Sequence, residues 1–541
     1  MGMYLNPTNA NFLETLRQPI FVDKTGILIQ MNKFIDICNK YVCVARPRRF
    51  GKTIATEMLT AYYSKGCDSR ELLSKFEIGQ DPHFLEKLNK YNFIRIDLNA
   101  EFETCRNKDE VLNNLQNKII KEFQEYFTGF NFPDYFSIAD AIQKIFDKTN
   151  EQFIIIIDEY DVFVREQVNG NVSDKLFREY LGFLNGLFKN STLKPAIALA
   201  YLTGILPIVR DKIQSKLNVF EEYTMIDAQE LSKFVGFTEN EVIDLCKKNN
   251  LDFEECKRWY DGYRLSKIIF NENNERIENY FDIYNPRSVV KVLQTGKFEN
   301  YWTQTSSYQV IVDRINQNFD GTKEAVIQMI AGESVDVDAY SYLNTMTDFR
   351  NKNDAFTYLI HLGYLVYDRN NKTCAIPNGE IRQEWQRAIY NNDEYQITNE
   401  IIKSSKELLE LTLEGDEEAV AKALDKSHIH VTSNRSYNNE DALQSAIYLA
   451  YIYALNKYTI VREMTAGKGF ADVTFVPYLP NIPAIIIELK HNEDTRTALN
   501  QIKQKQYFES LTQYFGDLLF VGINYDEKSK THTCKIEKFI K

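Results

Sequence analysis

Tyr41-Val42-Cys43-Val44-Ala45-Arg46-Pro47-Arg48-Arg49-Phe50-Gly51-Lys52-Thr53 is the stretch that decides the fold of this chain. Its first five residues form an apolar run typical of a buried strand, and a helical pattern follows from Ile54 to Tyr63. A strand, a loop ending in Gly-Lys-Thr and a helix are the context that a phosphate-binding loop requires. Backbone N–H groups at the helix start would face the phosphates, Lys52 would add a positive charge, and the Thr53 hydroxyl would reach Mg²⁺.

This loop departs from the usual motif at one position. The first glycine of G-x-x-x-x-G-K-[ST] is missing, because Arg46 stands there. Gly51, the second glycine, is present. For Arg46, Arg48 and Arg49 two roles stay open: contact with phosphates, or a structural role in closing a loop that is poor in glycine.

Two further apolar runs support the nucleotide interpretation. Phe153-Ile154-Ile155-Ile156-Ile157 is read as a buried strand, and Asp158-Glu159 follows it. Asp158 would hold Mg²⁺ through water, and Glu159 would orient or deprotonate the attacking water. The run from Ala196 to Leu202 leads into Thr203, a candidate sensor of the γ-phosphate. Arg210 is a candidate for stabilising phosphoryl charge, although lone arginines more often lie on a solvated face. The sequence therefore predicts ATP and Mg²⁺ as cofactors, bound by Arg46, Arg49, Gly51, Lys52, Thr53, Asp158 and Thr203, with Thr53 and Asp158 at the metal.

A second site is predicted near the C-terminus. Gly469-Phe470-Ala471-Asp472-Val473-Thr474-Phe475-Val476 and Pro483-Ala484-Ile485-Ile486-Ile487-Glu488-Leu489-Lys490 are two apolar strand patterns, each carrying a carboxylate. Side chains alternate along a strand, so Glu488 and Lys490 share one face. A divalent ion held by Asp472 and Glu488 beside a lysine is an arrangement that cuts phosphodiesters. The alternative is a half-buried strand that ends in a solvated glutamate and lysine.

Composition limits the class of protein. The chain has 541 residues and no run of 18 apolar residues, so we expect several compact units and no membrane span. The N-terminus lacks the apolar core of a signal peptide, and the eight cysteines form no Cys-x-x-Cys pair, which favours reduced thiols and a cytoplasmic location. A net charge of −12 does not favour a nucleic-acid binder. Contact with nucleic acid would need a local groove or assembly of several copies of the chain.

The pattern of elements predicts an α/β fold with four segments. Residues 1–215 alternate helical and strand segments, as an α/β ATPase core would. Residues 216–300 are predicted as a helical lid and residues 301–427 as a helical spacer. A polar, turn-rich segment from Ser427 to Asn439 is the predicted boundary. Residues 428–541 then read as helix, strand, strand, strand, helix and strand, an α/β nuclease-like domain.

A series of short motifs carries a resemblance to a known family. The chain resembles the AAA-ATPase-like family whose members carry a C-terminal nuclease domain of the PD-(D/E)XK superfamily, and that family's loop also lacks the first glycine. The matching stretches are Phe21–Thr25, Arg46–Thr53, Ile157–Asp161, Leu202–Ile208, Leu217-Asn218, Gly236–Thr238, Trp259–Tyr263, Tyr284–Pro286, Tyr301–Thr305, His361–Leu365 and Gly467–Asp472.

The resemblance implies a P-loop, AAA-like domain and a restriction-endonuclease-like domain. It also implies an acid on the first helix of the nuclease core, at Glu440, beside Asp472, Glu488 and Lys490. The leading hypothesis is an ATP-hydrolysing protein that controls a Mg²⁺-dependent DNA or RNA nuclease. Glu159 would serve ATP hydrolysis; Glu440, Asp472, Glu488 and the Leu489 carbonyl would hold one or two Mg²⁺; and Lys490 would orient the attacking water or offset phosphate charge. The rival is a nucleotide-switched binding or signalling protein whose nuclease-like domain only recognises a partner.

Overall fold

The computed structural model divides the chain into two compact units. The first comprises Met1–Thr322 and Ser334–Arg382, and the second comprises Lys323–Glu333 and Gln383–Lys541. The structure describes residues 2–37, 39–133, 136–168, 170–208, 219–271, 273–302, 309–317, 319–330, 332–340, 349–390, 396–431, 447, 450–466, 469–477, 482–504 and 517–539.

A five-stranded parallel sheet forms the centre of the first unit. Its strands are β1 (Tyr41–Ala45), β2 (Asn92–Asp97), β3 (Phe153–Asp158), β4 (Ile197–Gly204) and β5 (Glu221–Tyr223), in the order β2-β3-β4-β1-β5. β1, β3 and β4 are buried along their whole length, which explains their continuous apolar sequences. Parallel strands bring their carboxyl ends to one edge, where Asp97 lies beside Asp158 in register. The predicted α/β sheet is confirmed.

Helices pack against the parallel sheet. Leu115 and Ile119 from one helix, Ile142 from another and Leu184 from a third are buried in one core with the sheet. A capping box at Ser137 and Asp140 fixes the start of one of these helices. The helices are α1 (Ala10–Leu16), α2 (Gly26–Asp36), α3 (Lys52–Tyr63), α4 (Arg70–Leu73), α5 (Phe84–Lys87), α6 (Leu98–Thr104), α7 (Val111–Tyr126), α8 (Ile138–Thr149), α9 (Val162–Val168) and α10 (Asp174–Phe188).

The region that follows is not purely helical, so the prediction of a helical lid over 216–300 is wrong in part. Its helices are α11 (Glu239–Asn249), α12 (Phe253–Tyr260) and α13 (Pro286–Thr295), but β6 (Phe237–Thr238), β7 (Tyr263–Phe270) and β8 (Arg276–Tyr284) form an antiparallel sheet. Most residues of β7 and β8 are partly buried or exposed. The strands therefore lack the apolar runs that marked β1, β3 and β4.

The rest of the first unit contains small elements. A three-stranded sheet joins β9 (Val335–Asp336), β10 (Val366–Asp368) and β11 (Thr373–Ala375). The first unit also contains α14 (Gln309–Ile315) and α16 (Lys352–Leu362). Nearly all of α15 (Thr322–Ile330), most of α17 (Gly379–Tyr390), and the whole of α18 (Gln396–Glu414) and α19 (Glu417–Val431) belong to the second unit.

The second unit is built on a mixed five-stranded sheet. β12 (Tyr458–Ala466), β13 (Gly469–Pro477), β14 (Ala484–His491), β15 (Leu518–Asp526) and β16 (Thr531–Phe539) lie in sequence order. β14 and β15 are parallel and the other pairs are antiparallel. Helix α20 (Thr495–Gln504) lies between β14 and β15 in the chain, and its Leu499 and Ile502 are buried against Ile486 and Phe520. The predicted strands are confirmed, and β16 is an additional one.

The predicted boundary at Ser427–Asn439 differs from the structural one. Leu408 and Leu409 of α18 and Val420 and Leu424 of α19 belong to the same buried core as Phe475 and other residues of the C-terminal sheet. These two helices are therefore part of the second unit and not of a spacer. Over the described residues, no helix is long and apolar enough to cross a membrane.

Candidate functional site

The loop between β1 and α3 has the backbone that its sequence predicted. Gly51 precedes α3 with φ 92°, and Arg49 takes φ 69°. No atom lies within 4 Å of the position that a Cβ at Gly51 would occupy, so glycine is required by the backbone conformation and not by crowding. The loop thus turns sharply at the N-terminus of α3, whose N–H groups can receive an anion.

Lys52 is the buried cation of this loop. Its ammonium donates to the carbonyl oxygens of Arg46 and Pro47, both at 3.0 Å, and lies 3.8 Å from the carboxylate of Glu159. Burial lowers the pKa of Lys52, and the neighbouring Glu159, Asp161 and Asp158 oppose this shift. The ammonium is thus held by two loop carbonyls, which a phosphate oxygen could replace.

Asp158 and Thr203 meet at the carboxyl edge of the sheet, on adjacent strands. The Thr203 hydroxyl donates to Asp158 Oδ1, and both side chains are buried. Burial raises the pKa of Asp158, while the Thr203 hydrogen bond and Lys52 act in the opposite direction. Thr53 is the second residue of α3 and lines the same cavity as Asp158. An alcohol and a carboxylate are oxygen donors of the kind that Mg²⁺ takes.

Glu159 follows the strand in a left-handed conformation, with φ 53°. One carboxylate oxygen accepts from Arg165 Nη2 at 2.7 Å, and the other lies near Lys52. Arg165 Nε is also 3.2 Å from Asp161, whose Oδ2 accepts from the backbone N–H groups of Ile205 and Leu206 at 3.1 Å. Sequence reasoning assigned no role to Arg165 or Asp161; their i,i+4 spacing directly after Asp158-Glu159 is compatible with an ion pair but does not reveal the contact with Glu159.

Arg46 lies apart from the other predicted phosphate ligands. It is fully buried, and its guanidinium donates to the carbonyl oxygens of Ala45 and Tyr223, both at 2.9 Å. Burial lowers the pKa of Arg46 to about 10. The side chain joins the ends of β1 and β5, so its contacts favour the structural role and not the phosphate role. Arg49 is exposed and lines the cavity.

A cavity of about 790 Å³ lies in the first unit, and Arg49, Lys52, Thr53, Asp158 and Glu159 are among the residues that line it. Its size lies within the range of ligand pockets. Six basic side chains line it: Lys24, Arg48, Arg49, Lys52, Arg165 and Arg287. Its acidic side chains are Asp97, Glu103, Asp158 and Glu159. An apolar part is formed by Ile20, Phe21, Ile54, Met58, Phe237 and Val290. The cavity therefore combines cationic groups for phosphates, carboxylates for a metal and its water, and apolar surface for a flat base.

The second candidate site lies on β13 and β14. Asp472 accepts a hydrogen bond at 2.7 Å from the backbone N–H of Leu489, which brings it beside the Glu-x-Lys segment. Glu488 is buried, and Lys490 Nζ lies 3.5 Å from its carboxylate. The structure thus brings together three of the four predicted residues, and burial of Glu488 argues against a merely solvated strand end.

Two predicted residues, Glu440 and Arg210, lie outside the described part of the chain. Within the part that is described, no cluster of three or more potential metal-ligating His, Cys, Asp or Glu side chains is found. Asp472 and Glu488 supply two carboxylates, a donor set that fits a hard divalent cation.

Comparison with known proteins gives separate matches to the N-terminal and the C-terminal part of the chain. The family model described as "Predicted AAA-ATPase" matches residues 11–214, and the one described as "PD-(D/E)XK nuclease superfamily" matches residues 438–535. A curated protein of Azotobacter chroococcum mcd 1, named "Uncharacterized protein in vnfD 5'region", is 21% identical over 534 residues, which cover 94% of each chain. The chain therefore combines an AAA-ATPase-like domain with a C-terminal domain of the PD-(D/E)XK nuclease superfamily.

Proposed function

We propose that the first unit binds and hydrolyses ATP in the 790 Å³ cavity. The observation that carries this proposal is the convergence of Lys52, Asp158, Glu159 and Thr203 beside the Gly51 turn, at the carboxyl edge of a parallel sheet. Ligands of open α/β sheets bind at this edge. Thr53 and Asp158 would hold Mg²⁺, which offsets negative charge on the phosphates when it is bound.

The residues of this cavity have separate roles in hydrolysis. Lys52 exchanges its loop carbonyls for phosphate oxygens and so neutralises charge that grows on the leaving group. Glu159 accepts a proton from the water that attacks the terminal phosphorus. Thr203 holds Asp158 in place through its hydroxyl, and so fixes the carboxylate for the metal.

Two substitutions test the ATPase proposal. Lys52→Ala should weaken ATP binding about a hundredfold, because a charge-assisted contact to phosphate is lost. Glu159→Gln should not weaken ATP binding and should slow turnover about a hundredfold or more, because the proton acceptor is lost while the phosphate-binding cations remain. Calorimetric titration and phosphate release measure the two effects. Lys33→Ala, an exposed lysine on α2, is the matched control. Equal ATP affinity in Lys52→Ala and wild type would overturn the proposal.

For the second unit we propose metal-dependent cleavage of a nucleic-acid phosphodiester. The observation behind it is the placement of Asp472, Glu488 and Lys490 on neighbouring strands. Asp472 and Glu488 would hold the divalent cation, which activates water and stabilises phosphate charge when bound. Lys490 orients the attacking water or offsets charge on the phosphate in the transition state.

A cleavage assay separates this function from its rival. Single- and double-stranded DNA and RNA are incubated with the full chain and Mg²⁺, Mn²⁺ or a chelator. Wild type should cut at least one substrate only with metal, Asp472→Ala should cut none, and Glu527→Ala, an exposed acid of the same unit, should cut like wild type. If no variant cuts any substrate, the second candidate function takes first place: a nucleotide-switched binding or signalling protein, which the net charge of −12 favours.

A further inference from the structure

Arg165 connects the proposed catalytic carboxylate to a buried anchor. It lies in α9, directly after β3, and its guanidinium bridges Glu159 at 2.7 Å and Asp161 at 3.2 Å. Its side chain is only 13% exposed, yet it lines the same cavity as Lys52 and Glu159.

The contact to Glu159 conflicts with the task proposed for that residue. A general base must reach the water whose proton it takes. Here the Glu159 carboxylate is held between Arg165 and Lys52, the two buried cations that face it. These cations orient the carboxylate, with Arg165 at 2.7 Å and Lys52 at 3.8 Å. An oxygen that turns from Arg165 toward the attacking water would be better placed to take its proton.

The Arg165 guanidinium can rearrange without losing its anchor. Its Nε faces Asp161, which is itself fixed by the N–H groups of Ile205 and Leu206. Its Nη2 faces Glu159. The planar fork of arginine suits the oxygen atoms of a phosphate, which carries more negative charge than a carboxylate. Rotation about the Asp161 contact would let Nη2 leave Glu159 for a phosphate oxygen.

We propose that Arg165 is a ligand of the terminal phosphate of the bound nucleoside triphosphate, and that it exchanges Glu159 for a phosphate oxygen when the triphosphate binds. This rests on the ATPase function proposed above. The released Glu159 takes the proton of the attacking water; the water oxygen bonds to the terminal phosphorus, the bond to the bridging oxygen breaks, and ADP leaves with that electron pair. A nucleoside diphosphate lacks the terminal phosphate that would replace Glu159, so it leaves the Arg165–Glu159 pair intact.

The first test compares a triphosphate with a diphosphate. Calorimetry is performed on the full chain with Mg²⁺ and either ADP or a non-hydrolysable ATP analogue. Arg165→Ala should weaken binding of the analogue about tenfold or more and should change the affinity for ADP less than about threefold. Arg178→Ala, an exposed arginine of α10, should match wild type for both ligands. Equal loss for both ligands indicates a structural role only, and unchanged affinity for both excludes the phosphate contact; either result overturns the proposal.

A double-mutant cycle tests the exchange itself. Glu159→Gln removes the charge that competes for Arg165, so it should tighten binding of the analogue about threefold or more when Arg165 is present. In the Arg165→Ala background the same change should have a clearly smaller effect, because only the longer contact with Lys52 is then relieved. Equal effects in both backgrounds would contradict the exchange.

Arg165→Ala leaves Asp161 buried without its cation, which could prevent this variant from folding. Arg165→Lys is therefore measured as a second variant. The lysine variant keeps that positive charge but loses the fork, so we expect the preference for the analogue over ADP to fall in this variant as well. A wild-type preference in a folded Arg165→Lys protein would overturn the proposal. Failure of the wild type to bind either nucleotide would instead overturn the ATPase function.

Discussion

Several residues that line the cavity of the first unit have left-handed backbone conformations. Arg49 at φ 69°, Gly51 at φ 92° and Glu159 at φ 53° all take the left-handed region and all line the cavity. In residues other than glycine this conformation costs free energy, and it persists only where the surrounding structure enforces it. Such strain is often found at functional sites. Glu159 is held there by ion pairs with Arg165 and Lys52.

Gly51 gives a direct test at the scale of one residue. Gly51→Ala should weaken ATP binding and lower the free energy of unfolding by about 1–2 kcal/mol, because alanine is strained at φ 92°. Gly182→Ala in α10 is the matched control, since a Cβ there also meets open space but the backbone is helical. It should leave binding unchanged and stabilise by up to about 1 kcal/mol. Calorimetry and chemical denaturation measure both; equal effects of the two substitutions would contradict this explanation.

Single residues differed in how far the sequence revealed them. Lys52, Asp158 and Glu159 could be predicted, because each follows or precedes an apolar run at a fixed spacing. The contacts of Arg46 could not, since an arginine in a basic loop looks solvated and its burial depends on β5, which lies far away in the sequence. The bridging role of Arg165 depends on the way α9 packs after β3, which no local pattern specifies.

At the scale of elements, burial decides what a pattern can reveal. The continuous apolar runs of β1, β3, β4 and β14 predicted strands correctly, because these strands are buried on both faces. The β7–β8 hairpin and β16 are only partly buried and mix polar with apolar residues. Helices α18 and α19 pack with a sheet that follows them in the chain. The polar segment that begins at residue 427 therefore does not mark the start of the second unit.

This packing predicts how C-terminal fragments behave. Leu408, Leu409, Val420 and Leu424 are at most 2% exposed in the core of the second unit. Each buried aliphatic side chain contributes about 1.5–3 kcal/mol, which makes the four together comparable with the total stability of a domain, about 5–15 kcal/mol. A fragment of residues 383–541 should therefore melt cooperatively, whereas 428–541 should not. Circular dichroism melts measure this, and equally sharp transitions in both fragments would contradict the assignment.

At the scale of the whole molecule, each unit has its own core and its own candidate chemistry. Lys52, Asp158 and Glu159 belong to the first unit, whereas Asp472, Glu488 and Lys490 belong to the second. Asp472→Ala should therefore abolish cleavage and leave the rate of ATP hydrolysis nearly unchanged. We propose that the nucleotide bound by the first unit controls cutting by the second.

Cleavage rates of the full chain, measured with Mg²⁺ and without nucleotide, with ADP, with ATP and with a non-hydrolysable ATP analogue, test that claim most directly. The wild-type rate should differ at least about fivefold between the triphosphate-bound and nucleotide-free protein, the scale of a typical coupling between sites. Lys52→Ala should cut at one rate under all four conditions, because it cannot take up the nucleotide. A wild-type rate that is the same under all four conditions would contradict the account.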